Sequence, residues 1–168
     1  AGIAVHTYPY YDGATGGLRF DAMRDALGAL PPRSIVLLHA CCHNPTGVDL
    51  DRAQWRALLP VLRERELLPF LDLAYQGYGE GIAEDAFALR LLADEGLPFI
   101  VGNSFSKSMS VYGERAGALS VVCGDAAEAD LAEQFHARAG EFREIALDHA
   151  VLDDGGAGVQ LDAAGAEI

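Results

Sequence analysis

Basic residues are scarce in this 168-residue chain: twelve Lys and Arg stand against twenty-five Asp and Glu, a formal net charge of −13. A field of that sign repels nucleic acid and anionic membrane surfaces, so an anionic ligand has to be held by a local site. Cysteine is sparse too. Its three residues, with Cys41 and Cys42 adjacent, form no even framework; this argues against a secreted disulfide scaffold and for a reducing cytoplasm. No stretch has the length of a membrane span, and the first residues, Ala1 to His6, lack the basic segment and apolar run of a signal peptide. The chain begins without Met. With a strand-like pattern from its first residues, a start inside a larger protein is the expectation.

Apolar residues are plentiful, at 51% hydrophobic content, which suits one domain with a real core. Ile3 to Tyr10 reads as a strand, broken by Gly13, Gly16 and Gly17 before Asp21, an N-cap for a helix carrying Met23, Leu27 and Leu30 that Pro31 and Pro32 end. Ser34 to His39 is a continuous apolar run of the kind found in strands buried on both faces. Asp51 opens a helix with Trp55, Leu58, Leu59 and Leu62 at i, i+3, i+4 and i+7, although Pro60 should remove a hydrogen bond. Leu67 to Leu73 is a second buried strand, Glu84 to Glu95 a helix with Phe87, Leu91 and Leu92 inward, Pro98 to Val101 a third strand and Ala118 to Cys123 a fourth. From Asp125 a last helix places Leu131, Phe135, Ala139 and Phe142 on one stripe, after which the pattern weakens and Asp153 to Ile168 reads as a loose tail. The alternation of strand and helix predicts an α/β fold with a mainly parallel sheet and flanking helices.

Ligands of open α/β sheets bind beyond the carboxyl ends of the strands, and the polar clusters fall there: Asn44 after one strand, Asp72 and Tyr75 after the next, Ser104 to Lys107 after the third. Each alone has an ordinary explanation, as a turn, a helix cap or a solvated amine. Their joint placement carries more. His43-Asn44-Pro45-Thr46-Gly47, then Asp72-Leu73-Ala74-Tyr75-Gln76-Gly77, then Ser104-Phe105-Ser106-Lys107 with Arg115 eight residues on, resemble the successive motifs of class I pyridoxal-phosphate-dependent aminotransferases of the aspartate and aromatic type. The similarity runs from about Ala1 to the middle of the last helix. It implies part of the large domain of a fold type I enzyme over residues 1–148, with 149–168 a poorly patterned tail.

The resemblance implies pyridoxal 5'-phosphate as cofactor and roles for these positions. Lys107 holds it as a Schiff base and later moves the substrate's α proton; Asp72 faces the pyridine nitrogen and keeps it protonated. Asn44 and Tyr75 hydrogen-bond the phenolic oxygen, with a cis peptide before Pro45. Ser104, Ser106 and Arg115 hold the phosphate, Arg115 in a fork geometry suited to that group. The implied reaction passes an amino group from an amino acid to a 2-oxo acid, and the implied assembly is a homodimer. The segments around Lys107, Tyr112 to Arg115 and Leu119 to Cys123 look closer to the aromatic than to the strict aspartate type.

The chain departs from the family at both ends. The family's glycine-containing phosphate loop and ring-stacking aromatic are missing, as is the arginine that binds the substrate carboxylate. After Phe142 the expected continuation gives way to Leu147-Asp148-His149-Ala150. The alternative expectation is therefore an inactive remnant that at most binds the cofactor or a partner. Cys41, Cys42 and His43 lack a second ligand pair at zinc-like spacing and read as core and loop residues; no metal is expected. Gly77, Gly79 and Gly81 match a phosphate-binding fingerprint only loosely.

Overall fold

The computed structural model of the chain describes residues 5–113, 116–138 and 147–151. Its first elements are a two-stranded antiparallel pair, β1 (Tyr11–Asp12) and β2 (Gly17–Leu18), closed by a turn in which Gly16 takes φ +69° and its N–H donates to Asp12 O at 2.8 Å. The strand expected over Ile3 to Tyr10 does not form in its described part. Residues 5–10 make no ladder. Instead the Tyr8 hydroxyl donates to Leu37 O and the Tyr10 hydroxyl to Val48 O, both at 2.7 Å, so side chains tie this segment down.

Helix α1 (Phe20–Gly28) buries Met23 and Leu27 completely. Asp21 lies inside its first turn, not at the cap, where its charge still favours the positive end of the helix. Leu30 falls beyond the helix and packs half-buried against the core.

The main sheet comprises β3 (Ile35–His39), β4 (Leu68–Leu73), β5 (Phe99–Ser104), β6 (Gly117–Cys123) and β7 (Leu147–Val151), in that spatial order. β3, β4 and β5 are parallel, β6 runs antiparallel to β5, and β7 is parallel to β6. The fold is α/β with a mixed sheet. β3 corrects an expectation: Val36 and Leu38 are buried, but Ile35 and Leu37 are 61% and 52% exposed. Among the described residues it is an edge strand with one face uncovered, so its apolar run does not mean burial on both sides.

Helix α2 (Arg52–Glu64) starts as the sequence suggests. The Asp51 side chain accepts from Gln54 N–H at 2.7 Å and Gln54 Oε1 accepts from Asp51 N–H at 2.9 Å, a capping box. Trp55, Leu58, Leu59 and Leu62 are buried, and the helix continues past Pro60 to Glu64. Burying each leucine stabilises by roughly 1.5–3 kcal/mol.

The single helix expected over Glu84 to Glu95 is two, α3 (Ile82–Asp85) and α4 (Phe87–Asp94), parted at Ala86 with φ −87° and ψ 13°. α4 buries Ala88, Leu92 and Ala93, with Phe87 and Leu91 half-buried. The short α5 (Phe105–Ser108) follows β5 directly, and α6 (Ala126–Arg138) follows β6. The expected stripe of α6 fails at Leu131, which is 64% exposed, while Ala129 is buried; the side chains of Phe135, Ala139 and Phe142 lie outside the described residues. β7 forms where the sequence pattern weakens, held by its pairing with β6 from Leu119↔Leu147 to Cys123↔Val151.

Candidate active site

Parallel pairing sets the carboxyl ends of three strands level. His39 is in register with Asp72 and Asp72 with Gly102, so the loops after β3, β4 and β5 open at one edge. The predicted site residues among the described ones lie on these loops, at strand ends or, for Ser106 and Lys107, on α5 directly after β5.

The loop after β3 carries Asn44. Cys42 takes φ 51° and Gly47 φ 67°, and the Asn44–Pro45 peptide is cis, as the resemblance implies. Its shape is fixed from within. The Asp49 carboxylate accepts from Cys42 N–H and His43 N–H, both at 2.7 Å; Thr46 Oγ1 and His43 Nδ1 are 2.8 Å apart; Gly47 N–H donates to His43 O at 2.7 Å. The Tyr10 ring stacks on His43 with centroids 4.0 Å apart and planes 13° apart, and His39 lies 4.4 Å from His43 on a tilt. Burial, and next the neighbouring His39, hold the His43 imidazole below its ordinary value, with Asp49 opposing. Burial pushes the Tyr8 phenol up to about 12 and also raises that of Tyr10, where Asp49 adds to the effect.

Asp72 sits one residue before the end of β4 and is half-buried, as are Tyr75 and Lys107. Lys107 Nζ lies 4.5 Å from the centroid of the Tyr75 ring, a cation–π distance. Among the described residues neither Asp72 nor Lys107 has an ion-pair partner. Ser104 ends β5 at the N-cap of α5 with no side-chain cap bond, and Ser106 is buried on α5 at 6% exposure. Arg115 lies outside the described residues. The structure thus brings Asn44, Asp72, Tyr75, Ser104, Ser106 and Lys107 to one edge of the sheet.

These donors fit pyridoxal 5'-phosphate. A carboxylate is available for a protonated ring nitrogen, an amide and a phenol for the ring oxygen, an amine without an acidic partner among the described residues for the carbonyl carbon, and hydroxyls for the phosphate.

Two carboxylates with structural roles at this edge are not apparent in the motif reading, Asp49 and Asp85. Asp85, only 6% exposed, accepts from Gly77 N–H at 2.8 Å, Gly79 N–H at 3.0 Å and Glu80 N–H at 2.9 Å. Burial alone would raise its pKa; the backbone N–H groups of Glu80, Gly79, Gly77 and Gly81 outweigh that and hold it below the ordinary carboxylate value. The signal available in the sequence was Gly77, Gly79 and Gly81 spaced by two residues just ahead of an acid, which lets backbone approach a carboxylate closely.

Ligand atoms of Cys41, Cys42 and Asp85 lie within 4.8 Å of one another. The Asp85 oxygens already accept three N–H groups, and burial raises the pKa of both thiols. Packing and loop shape account for these side chains.

Comparison with known proteins gives a consistent result. Residues 1–146 match the family model for aminotransferase class I and II. The aromatic-amino-acid aminotransferase of Escherichia coli (strain K12) is 60% identical over 126 residues, which are 75% of this chain and 32% of that protein. The aspartate aminotransferase of Pseudomonas aeruginosa is 58% identical over 122 residues, 73% of this chain and 31% of its own length. Among solved structures, an aromatic amino acid aminotransferase from Burkholderia cenocepacia J2315 superposes with a TM-score of 0.80 at 64% identity, covering 82% of this chain and 35% of that one. One from Burkholderia pseudomallei, covalently bound to pyridoxal phosphate, gives 0.69 at 58% identity over 70% of this chain and 30% of its own. The chain spans about a third of the length of the curated relatives it matches.

Proposed function

We propose, from the premise that this chain belongs to the class I and II aminotransferase family, that it carries the cofactor-binding part of an enzyme moving amino groups between an amino acid and a 2-oxo acid. One observation carries the reading: the amine of Lys107 rests on the Tyr75 ring, 4.5 Å from its centroid, at the strand edge that also presents Asp72 and Asn44. Pyridoxal 5'-phosphate, when bound, supplies an electron sink for the substrate's α carbon.

The chain's own residues do the rest. Lys107 Nζ would hold the cofactor through its carbonyl carbon, with the carbonyl oxygen leaving as water, and as a free amine would accept the substrate's α proton and pass it on to the cofactor. Asp72 Oδ accepts a hydrogen bond from the protonated ring nitrogen and holds that proton by charge. Asn44 and the Tyr75 hydroxyl donate to the ring oxygen. Ser104, Ser106 and Arg115 bind the phosphate, which the chain's net charge of −13 otherwise repels.

The substrates in this reading are small amino and 2-oxo acids, with aromatic side chains preferred over dicarboxylic ones. Tyr112 to Arg115 and Leu119 to Cys123 support that preference. A homodimer in a cytoplasmic setting belongs to the same reading. No described helix is long and apolar enough to cross a membrane.

The test is a spectrophotometric titration with pyridoxal 5'-phosphate, followed by amino-group transfer assays with aromatic and acidic amino acids. Wild type is expected to develop a visible band that borohydride removes. Lys107→Ala should lose that band; a Lys107→Ala band equal to wild type would contradict the assignment.

A further inference from the structure

Three candidates stand outside the residues already assigned: the Cys41, Cys42 and Asp85 cluster, the exposed face of β3 at Ile35 and Leu37, and the carboxylate of Asp85 beneath the loop that follows Tyr75. Nothing in the structure shows what covers the β3 face. The cluster's oxygens are committed to backbone N–H groups. The third carries furthest.

We infer that Asp85 is a positioning residue for the cofactor site: by gathering the backbone N–H groups of Gly77, Gly79 and Glu80 onto one buried carboxylate, it sets where Tyr75 and Lys107 stand. This rests on the proposed role of those two residues.

The chain of contacts is short. Asp85 Oδ2 accepts from Gly77 N–H at 2.8 Å and Gly79 N–H at 3.0 Å, and Oδ1 accepts from Glu80 N–H at 2.9 Å. Those three donors lie two to five residues after Tyr75 in the chain. Tyr78, held between Gly77 and Gly79, donates its N–H to Tyr75 O at 3.0 Å and its hydroxyl to Lys107 O at 3.0 Å. Its ring meets the Tyr75 ring edge-on, 6.3 Å between centroids. One carboxylate therefore fixes a loop that touches both the Tyr75 backbone and the peptide of Lys107.

Two glycines show that the fit is close. A Cβ on Gly79 would stand 2.6 Å from Asp85 Oδ1, and Gly77 holds φ +93°. Only a bare backbone approaches the carboxylate this closely. The carboxylate itself is buried at 6% exposure and its three hydrogen bonds are partly buried, so removing it leaves the donors with a costly loss of partner.

A purely structural aspartate and a positioning one differ in what its loss does to the bound cofactor. Tyr75 is proposed to donate to the ring oxygen, and such a donor favours the deprotonated form of the bound cofactor. Displacing Tyr75 should therefore raise the pH midpoint of the visible band. Loss of stability alone should leave that midpoint where it is.

The experiment compares wild type, Asp85→Ala, Asp85→Asn and a control, Leu62→Ala, which opens the core on α2 far from the loop. Pyridoxal 5'-phosphate affinity, the pH midpoint of the band and amide exchange at Gly77, Gly79 and Glu80 are measured at a temperature where all are folded. Asp85→Ala is expected to weaken cofactor binding about tenfold or more, raise the midpoint and deprotect the three amides. Asp85→Asn, which keeps one acceptor oxygen, should recover part of each change and serves if the alanine variant does not fold. Leu62→Ala should lower stability with affinity and midpoint unchanged. An Asp85 variant that loses amide protection but matches Leu62→Ala in affinity and midpoint overturns the inference. Failure of the underlying assignment looks different: the band would then survive Lys107→Ala whatever occupies position 85.

Discussion

Asp49→Ala should loosen the loop that carries Asn44, and its size follows from two hydrogen bonds. The Asp49 carboxylate accepts from Cys42 N–H and His43 N–H at 2.7 Å each, while Cys42 sits at φ 51°, a conformation L side chains seldom adopt. Hydrogen bonds to charged groups contribute about 1.5–3 kcal/mol each, so two buried ones would approach roughly 3–6 kcal/mol. The Asp49 side chain is exposed, and water takes over part of the lost bonding. The expected cost is therefore about 1–2 kcal/mol of unfolding free energy. Asp49→Asn keeps one acceptor oxygen and should cost about half as much. Urea denaturation near neutral pH, with m-values compared to ensure a common unfolded state, measures the change, and amide exchange locates it. Asp49→Ala that stays within ~0.5 kcal/mol of wild type, with the Cys42 and His43 amides still protected, would refute this view of the loop.

Leu58→Ala empties a fully buried position on α2 and should destabilise by about 2–5 kcal/mol in the same assay; a loss below ~1 kcal/mol would mean that the site collapses around the gap. Asp72→Ala should slow exchange of the α proton of a bound amino acid in deuterated water far more than it weakens cofactor binding, and equal effects on both would count against its role at the ring nitrogen. Stability should also depend on pH through Asp85. Its pKa is lowered by folding, so the ionised carboxylate's contribution is fully present above the ordinary value of about 4 and is lost as pH falls through the folded value. The stability gap between wild type and Asp85→Asn should accordingly be widest near neutral pH and close below about pH 4, and a gap independent of pH would contradict it.

Much of the fold was legible because the decisive signals were local. Trp55, Leu58, Leu59 and Leu62 share one helical face, and Asp51 with Gln54 forms the capping box that starts it. What escaped depends on partners distant in sequence. Ile35 and Leu37 look identical to Val36 and Leu38 as letters, and only the place of β3 at the sheet edge separates exposed from buried. β7 has weak patterning of its own and exists by pairing with β6. Residues 5–10 alternate like a strand, yet Tyr8 and Tyr10 spend their hydroxyls on Leu37 and Val48.

The site follows the same division. Asn44, Asp72, Tyr75 and Lys107 are legible as motif residues, and parallel register explains why loops far apart in sequence meet. Asp49 and Asp85 escape a motif reading because a carboxylate that serves backbone N–H groups leaves no motif beyond a nearby glycine. Their importance becomes visible only when donors and acceptors are matched.

The most direct test of the central claim exploits a scarcity in the sequence, since Lys107 is the only lysine in the chain. Pyridoxal 5'-phosphate is added to the purified chain, the complex is reduced with borohydride, and the digested peptides are mapped by mass spectrometry. The expected result is a cofactor adduct on the peptide containing Ser104 to Lys107, absent when Lys107 is replaced by alanine. An adduct confined to the amino-terminal amine, or no adduct at a cofactor concentration that saturates a homologous holoenzyme, would contradict the assignment of Lys107.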